Sequence, residues 1–476
     1  MNETPPNVLL LITDQHRADC LGFAGNPVLQ TPHLDHLART GSYFPYAYTA
    51  HPQCIPARRT LLTGTCANTH GVYCNHPGAA LPSPTLPEVF ARQGYHTHLC
   101  GKIHTFPERA LYGFMSADWA DNVVRQGNSD YDAFLAENGL GGDRGFLSYA
   151  SSANTWIARP WPHPEHLHPT NWTTDCALRF LRRRDPTRPF FLNVSYYFPH
   201  QPCIPPQVFW DRYIDAELPP LVEAEWSNRQ AAYEAGMSPD AWQFKARPAE
   251  LQQFRAGYYG LINHIDEQIG RLLRAIPEDT VILFCSDHGE MLGDHQWLRK
   301  TRGLEASARI PFILNLPQSL GVAQGQSREE PVELMDVMPT LLDAAGIDIP
   351  DTVEGGSLVR RLRGEGDWRP YVHGENAVIG GDGPGGMQYL TDGKRKYIWE
   401  PGKGREYFFN LEDDPSETRN LADADLPPEE VTVWRKRLVE ILEGRPEGFV
   451  QDGELAVLTK GYRRVHEKYR PGQARH

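Results

Sequence analysis

The stretch NVLLLITDQ, residues 7–15, runs from an apolar segment, Val8 to Ile12, straight into Thr13, Asp14 and Gln15. Five apolar residues with no basic flank and no small-residue cleavage site read as a buried strand rather than a signal peptide. TVILFCSDHGE, residues 280–290, repeats the pattern: a β-branched apolar run ends in Ser286, Asp287, His288, Gly289 and Glu290. In open α/β sheets, sites lie beyond the carboxyl ends of strands, so both polar clusters fall where such a site is built. Asp14, Gln15, Asp287 and His288 offer two carboxylates, an amide oxygen and an imidazole. Such a set suits Ca²⁺ or Mg²⁺, and the histidine also permits Mn²⁺. Taken singly, each aspartate is equally a helix cap.

Between these strands the pattern alternates. PHLDHLAR (32–39) and TLPEVFARQ (85–93, with Thr85 as a cap) predict short helices, and residues 95–100 a strand. A helix is expected over 175–183, a strand over 190–195, and a long helix over 250–276 from apolar residues at spacings of three and four, ended by Pro277. Strands alternating with helices predict a mostly parallel sheet covered on both faces. The last quarter differs. MQYLTDGKRKYIW (387–399) reads as a hairpin around Asp392-Gly393, followed by a strand near 407–411 and a helix over 427–442. The expected organisation is a large α/β domain over 1–365 and a smaller α+β domain over 366–476. The polar, basic tail from Gly453 is either a loose end or an arm across a neighbouring copy in a homo-oligomer.

A formal net charge of −13 removes the basic field that nucleic-acid binding needs. No apolar run approaches a membrane span. Eight scattered cysteines with no CxxC pair point to a reducing cytoplasm. The glycosylation sequons at Asn2, Asn171 and Asn193 then carry no meaning, and Asn193 falls inside an apolar strand.

HPQCIPARRTLLTG, residues 51–64, contains Cys54, Pro56 and Arg58 as C-x-P-x-R, followed by Thr63-Gly64. With it come, in order, Gly101-Lys102-Ile103-His104, Pro199-His200, Ser286-Asp287-His288-Gly289-Glu290, Gly293-Asp294-His295, Lys300, and FFNLEDDPSETRNL at 408–421. Here the chain resembles the formylglycine-dependent sulfatases of the alkaline phosphatase superfamily, over nearly its whole length. The resemblance implies an alkaline-phosphatase-like α/β/α sandwich and an enzyme hydrolysing sulfate monoesters. In that family the cysteine is converted by a formylglycine-generating enzyme to an aldehyde. The hydrated aldehyde, its hydroxyl made acidic by one divalent metal ion, attacks the ester, and its second hydroxyl then expels sulfate. A serine could form the ester but could not release it that way.

The resemblance also assigns roles. Asp14, Gln15, Asp287 and His288, with residue 54, would hold the metal, calcium before magnesium or manganese. Arg58 would hold the hydrated aldehyde, Lys102 and Lys300 the anionic oxygens. His104 would bond the aldehyde hydrate and accept a proton, and His200 would face the leaving oxygen as general acid. Asn75 would line the substrate site, or serve only as a turn residue. Asp294 and His295 read as supporting residues, and Arg59 as a surface or scaffold charge.

Two departures matter. Many sulfatases have two consecutive acids after the first strand and Asp-Asn after the late one, whereas this chain has Asp14-Gln15 and Asp287-His288. That resembles the branch of phosphonate monoester hydrolases, phosphodiesterases and choline-sulfatase-like enzymes. Lys102 and His104 point back to sulfatases. A small-molecule sulfate ester is therefore the expected substrate, with phosphonate monoester or phosphodiester hydrolysis as the alternative. A catalytically silent binding protein of the same fold is disfavoured, because the cysteine, arginine and acids are all present. The aromatic segments 106–161 and 210–242 are expected to form loops over the strand ends around the leaving group.

Overall fold

The computed structural model describes residues 5–75, 80–121, 129–140, 153–227, 242–243, 247–377 and 386–459. The stretch from residue 7 becomes the strand Asn7–Asp14, buried along all but its first residue. It pairs in parallel with Phe190–Pro199 on one side and Thr280–Ser286 on the other. A strand enclosed on both edges must satisfy its backbone within the sheet, and its side chains then alternate between two faces. Leu9 and Leu11 point into one core, with Leu192, Val194 and the long helix Pro248–Leu273. Val8, Leu10 and Ile12 point into the other, with Ala57, Leu61, Val337 and Leu341. The result is a sheet between two helical layers, an α/β/α sandwich.

The eight-stranded sheet runs, edge to edge, Ser116–Trp119, His96–Gly101, Phe190–Pro199, Asn7–Asp14, Thr280–Ser286, Phe312–Asn315, Ser42–Tyr43 and Gln326–Ser327. Its first five strands are parallel, and Phe312–Asn315 is the first to run against them. The longer elements agree with the sequence within a few residues. The helix expected from residue 175 starts earlier, at Pro169, where His168 caps it by accepting from the Thr170 N–H. Thr85 caps its helix as expected. Ser42–Tyr43 and Gln326–Ser327 have two residues each, too short for any periodicity to announce them.

A four-stranded antiparallel sheet follows: Val372–Asn376, Met387–Thr391, Arg395–Glu400 and Arg405–Asn410. Its hairpin turns at Asp392-Gly393, where Gly393 takes a φ of 90°. The helix Glu429–Leu442 packs Trp434 and Leu438 on one face of this sheet, against Tyr397 and Phe408. The other face, through Tyr389 and Ile398, meets Tyr48, Met291 and Leu304 of the large domain. Buried Lys396 pairs across that junction with Glu305 at 2.6 Å and, on its own side, with Glu417 at 3.1 Å. The expected oligomerisation arm falls largely on residues 460–476, outside the described residues. Before it, Val450–Gln451 and Glu454–Leu455 form a small hairpin. None of the eight cysteines, all among the described residues, is in a disulfide. No helix among the described residues is long and apolar enough to cross a membrane.

Gly101 ends its strand with a φ of 98°, and a Cβ there would meet the Ser195 carbonyl oxygen at 2.1 Å. Gly101→Ala therefore combines a left-handed backbone with a clash against a neighbouring strand. Urea unfolding is expected to register a loss of about 1–3 kcal/mol or more; an unchanged midpoint would contradict this placement.

Candidate active site

Four parallel strands end together, and each delivers a residue to one place: Asp14, Lys102 just past Gly101, His200 just past Pro199, and Asp287 just past Ser286. The fifth contribution is the helix Cys54–Thr63, whose first residue is Cys54. The start of a helix carries exposed N–H groups and a partial positive charge, a favourable place for an anion. Asn75 bonds this start: its Oδ1 accepts from the Ile55 N–H at 2.9 Å, and its own N–H donates to Gln53 Oε1 at 2.7 Å. Its carbonyl oxygen thus orients the segment carrying residue 54.

Arg58, one helical turn after Cys54, is almost wholly buried and crosses the cluster. Its Nε donates to Asp287 Oδ2 at 2.9 Å and its Nη2 to Asp14 Oδ2 at 3.1 Å. Its Nη1 donates to Ser195 Oγ and to the Lys102 carbonyl, both at 2.9 Å. Lys102 Nζ reaches Asp14 Oδ2 at 2.7 Å and lies over the Tyr197 ring. Lys300 Nζ donates to Gln15 Oε1 at 2.7 Å and to the Cys54 sulfur at 3.1 Å. His104 and His200 both face that sulfur. Among the described residues, His104 Nδ1 has no hydrogen-bond partner.

Asp14, Cys54, Asp287 and His288 each bring one ligand atom within 4.8 Å of the others. The Cys54 sulfur is 3.2 Å from His288 Nε2 and 3.8 Å from Asp14 Oδ1; His288 Nε2 is 3.6 Å from Asp287 Oδ1. His288 Nδ1 faces the Gly289 carbonyl at 3.0 Å. A proton held there leaves the Nε2 lone pair aimed at the cluster, as a metal ligand requires. Two carboxylates, an imidazole nitrogen and a sulfur converging on one place are a donor set that fits a divalent cation. Gln15 joins from the side. Its amide N–H donates to Gln201 Oε1 at 2.6 Å and to Glu290, so its oxygen faces Lys300.

The charges respond to this crowding. Burial and the Cys54 sulfur oppose ionisation of Asp14, but Lys102, His200 and Lys300 outweigh them and hold its carboxyl well below the usual carboxylate range. Burial and the neighbouring Asp14 push Asp287 up, against His288 and Arg58. Burial also opposes ionisation of Cys54, yet Lys300, Lys102 and His288 bring its thiol far below the ordinary value. Burial, helped by Lys300, holds the His200 imidazole down at about 4, so it is neutral at rest. Its Nδ1 lies 2.8 Å from the Gln201 carbonyl, a proton-accepting partner.

Every expected site residue is thus brought to this cluster or its immediate support. Asp294 is structural, pairing with Arg17 at 2.7 Å. Of the two readings of Arg59, a surface or a scaffold charge, the structure takes the second: it is 1% exposed and donates to the Ala80 carbonyl at 2.8 Å, tying down the chain that follows the helix. The aromatic loops are corrected in part. Trp156 and Trp161 pack in the main core with Trp172 rather than around a leaving group; residues 122–128, 141–152 and 228–241 lie outside the described residues. Ser195, Tyr197 and Gln201 went unrecognised as supporting residues. Their signal was present, as polar atoms at the carboxyl end of an apolar strand.

Residues 6–347 match the family model described as Sulfatase. The chain is 39% identical to an arylsulfatase of Clostridium perfringens, over 96% of this chain and 98% of that one. It is 30% identical to a choline-sulfatase of Rhizobium meliloti, over 89% and 83%. Among solved structures it resembles the phosphonate monoester hydrolase of Agrobacterium radiobacter, with a TM-score of 0.75 and 26% identity, covering 92% of this chain and 95% of that one.

Replacing Arg58 by Gln leaves Asp14 and Asp287 buried beside each other with no guanidinium between them. Removing one partner of a buried pair costs about 3–5 kcal/mol, and Arg58→Gln is expected to show such a loss in chemical denaturation. A variant as stable as the parent would contradict the bridge.

Proposed function

We propose that this chain, which belongs to the sulfatase family and hydrolyses sulfate esters, acts on small organic sulfate monoesters with a formylglycine made from Cys54 and one divalent ion, calcium first. The observation that carries the reading is the convergence of Cys54 with Asp14, Asp287, His288 and Lys300 at the strand ends. Two carboxylates face three buried cations, Arg58, Lys102 and Lys300, and a divalent ion would add to the positive side. In a chain of net charge −13 this local excess selects a compact anion, and low dielectric strengthens it. The arylsulfatase relative, at 39% identity against 30% for the choline-sulfatase, supports an aryl leaving group.

Asp14, Asp287, His288 and residue 54 would hold the ion, with Gln15 beside them. The ion supplies Lewis acidity to the attacking hydroxyl and to the ester oxygens. The hydrated aldehyde supplies that hydroxyl and a second one whose deprotonation releases sulfate. The remaining work belongs to encoded side chains. Lys102 and Lys300 bind the ester's non-bridging oxygens and offset charge that grows in the transition state. Arg58 fixes both carboxylates and, through its place one turn on, the orientation of residue 54. His104, with its unengaged Nδ1, takes the proton when sulfate leaves. His200 donates to the departing oxygen; the arriving anion beside it raises the basicity that burial had lowered. Maturation would be by a formylglycine-generating enzyme. A reducing cytoplasm is the compartment we propose, supported by cysteines none of which is in a disulfide.

Kinetics with an aryl sulfate, a phosphodiester and a phenylphosphonate test the substrate class. The sulfate ester is expected to give the largest kcat/KM, and a preference of several orders for the phosphorus esters would reverse the assignment. The peptide containing residue 54, from protein made beside a maturation enzyme, is expected to weigh about 18 Da less than the cysteine form. Cys54→Ser should fold normally and stop after one turnover; sustained turnover by it would refute the aldehyde. His200→Asn should lower kcat by about 10²–10⁴-fold for poor leaving groups and far less for good ones. An equal loss for both would remove its role as acid.

A further inference from the structure

A second cavity, of about 350 Å³, opens between the C-terminal sheet and the segment 297–304. None of its lining residues belongs to the Cys54 cluster. Lys300 lies on the same segment but turns its ammonium to Cys54, so Trp297 and Arg302 wall the cavity while the residue between them serves the other site. Trp226, Trp297 and Tyr407 give it aromatic sides; Leu304, Met387 and Ile398 give it an aliphatic floor.

Its charge is unlike that of the chain as a whole. Arg302, Lys403 and Arg405 line it against one acid, Glu400. Lys403 pairs with Glu400 at 2.9 Å, and Arg405 pairs with Asp423 at 3.5 Å while its guanidinium lies over Tyr407. Arg302 is held less well. Its guanidinium lies 3.5 Å from the Trp297 ring centroid, and among the described residues its only ion pair is a long 3.6 Å contact to Glu400. Among the described residues its buried Nε has no hydrogen-bond partner. Burial pushes the guanidinium below its ordinary value, more than Glu400 and Tyr407 restore. A guanidinium over an indole, held by one long ion pair and with its Nε unpartnered among the described residues, in a cavity with flat apolar walls, suits one planar group bearing negative charge.

We propose that this cavity is a second binding site, separate from the catalytic centre, for a small planar aromatic anion whose acidic group reaches Arg302 and whose ring lies among Trp226, Trp297 and Tyr407. The ring takes up the apolar walls and the anion completes the guanidinium. Lys403 and Arg405, at the rim, add attraction without fixing orientation.

The test is calorimetric titration of the full chain with 2-naphthoate, in buffer containing saturating inorganic sulfate to occupy the catalytic anion site. One-to-one binding is expected, with quenching of tryptophan emission. Affinity should fall about tenfold in Arg302→Gln and for the neutral probe 2-naphthalenemethanol, the size of one charged hydrogen bond. Should Arg302→Gln not fold, the rim variant Lys403→Gln/Arg405→Gln carries the test, with a smaller fall in affinity and a weaker salt dependence. Absence of binding, equal affinity for the neutral probe, an undiminished Arg302 or rim variant, or displacement by sulfate would each overturn the proposal.

Discussion

A single guanidinium holds the ends of two neighbouring strands. Arg58 reaches Asp287 and Asp14 from the same side chain, with Ser195 and the Lys102 backbone taking its Nη1 donors. Two carboxylates buried side by side repel one another, and neither strand can end as it does without a cation between them. The planar fork of arginine meets four acceptors at once, which an ammonium could not. Because Arg58 lies one turn after Cys54, the same contact fixes where the helix begins and where its first side chain points. Sheet, helix and chemistry are joined through that one group.

Around it, charges lie so close that each group's affinity for a proton is set by its neighbours. Against burial, Lys300, Lys102 and His288 hold the Cys54 thiol far below its ordinary value. The strand ends also carry backbone in an uncommon conformation: Gln15 and His104 have φ of 69° and 56°. Such residues persist where surrounding contacts over-determine them. Here those contacts are the bonds from Gln15 to Lys300, Gln201 and Glu290 and from the His104 N–H to Asp121.

Much of this was legible in the chain. Asp14 and Asp287 announce themselves because each follows an apolar run that only a buried strand explains, and the Asp392-Gly393 turn marks its hairpin just as plainly. Membership of the site for Lys102, His104, His200 and Lys300 came from the order of motifs, since a lone lysine or histidine has no local signature. Ser195, Tyr197 and Gln201 were missed because their importance lies in what faces them from other strands. Arg59 stayed undecided between surface and scaffold for the same reason: the carbonyls its guanidinium serves are distant in sequence. Trp156 and Trp161 look like loop aromatics until the helix Pro169–Arg183 is laid against them. Periodicity reports what happens along an element and is silent about what crosses between elements.

Cys54, at the head of its helix, is 1% exposed. The C-terminal sheet closes over its neighbours, with the Glu375 carbonyl against His51 and the Ala377 carbonyl receiving the Gln53 amide. Those sealing residues are translated more than three hundred positions after Cys54. The maturation enzyme proposed above would therefore reach this sulfur only in a window set by synthesis and folding, while the chain is still open. Fast collapse would then be a hazard for this molecule, and slow assembly of its last sheet an asset.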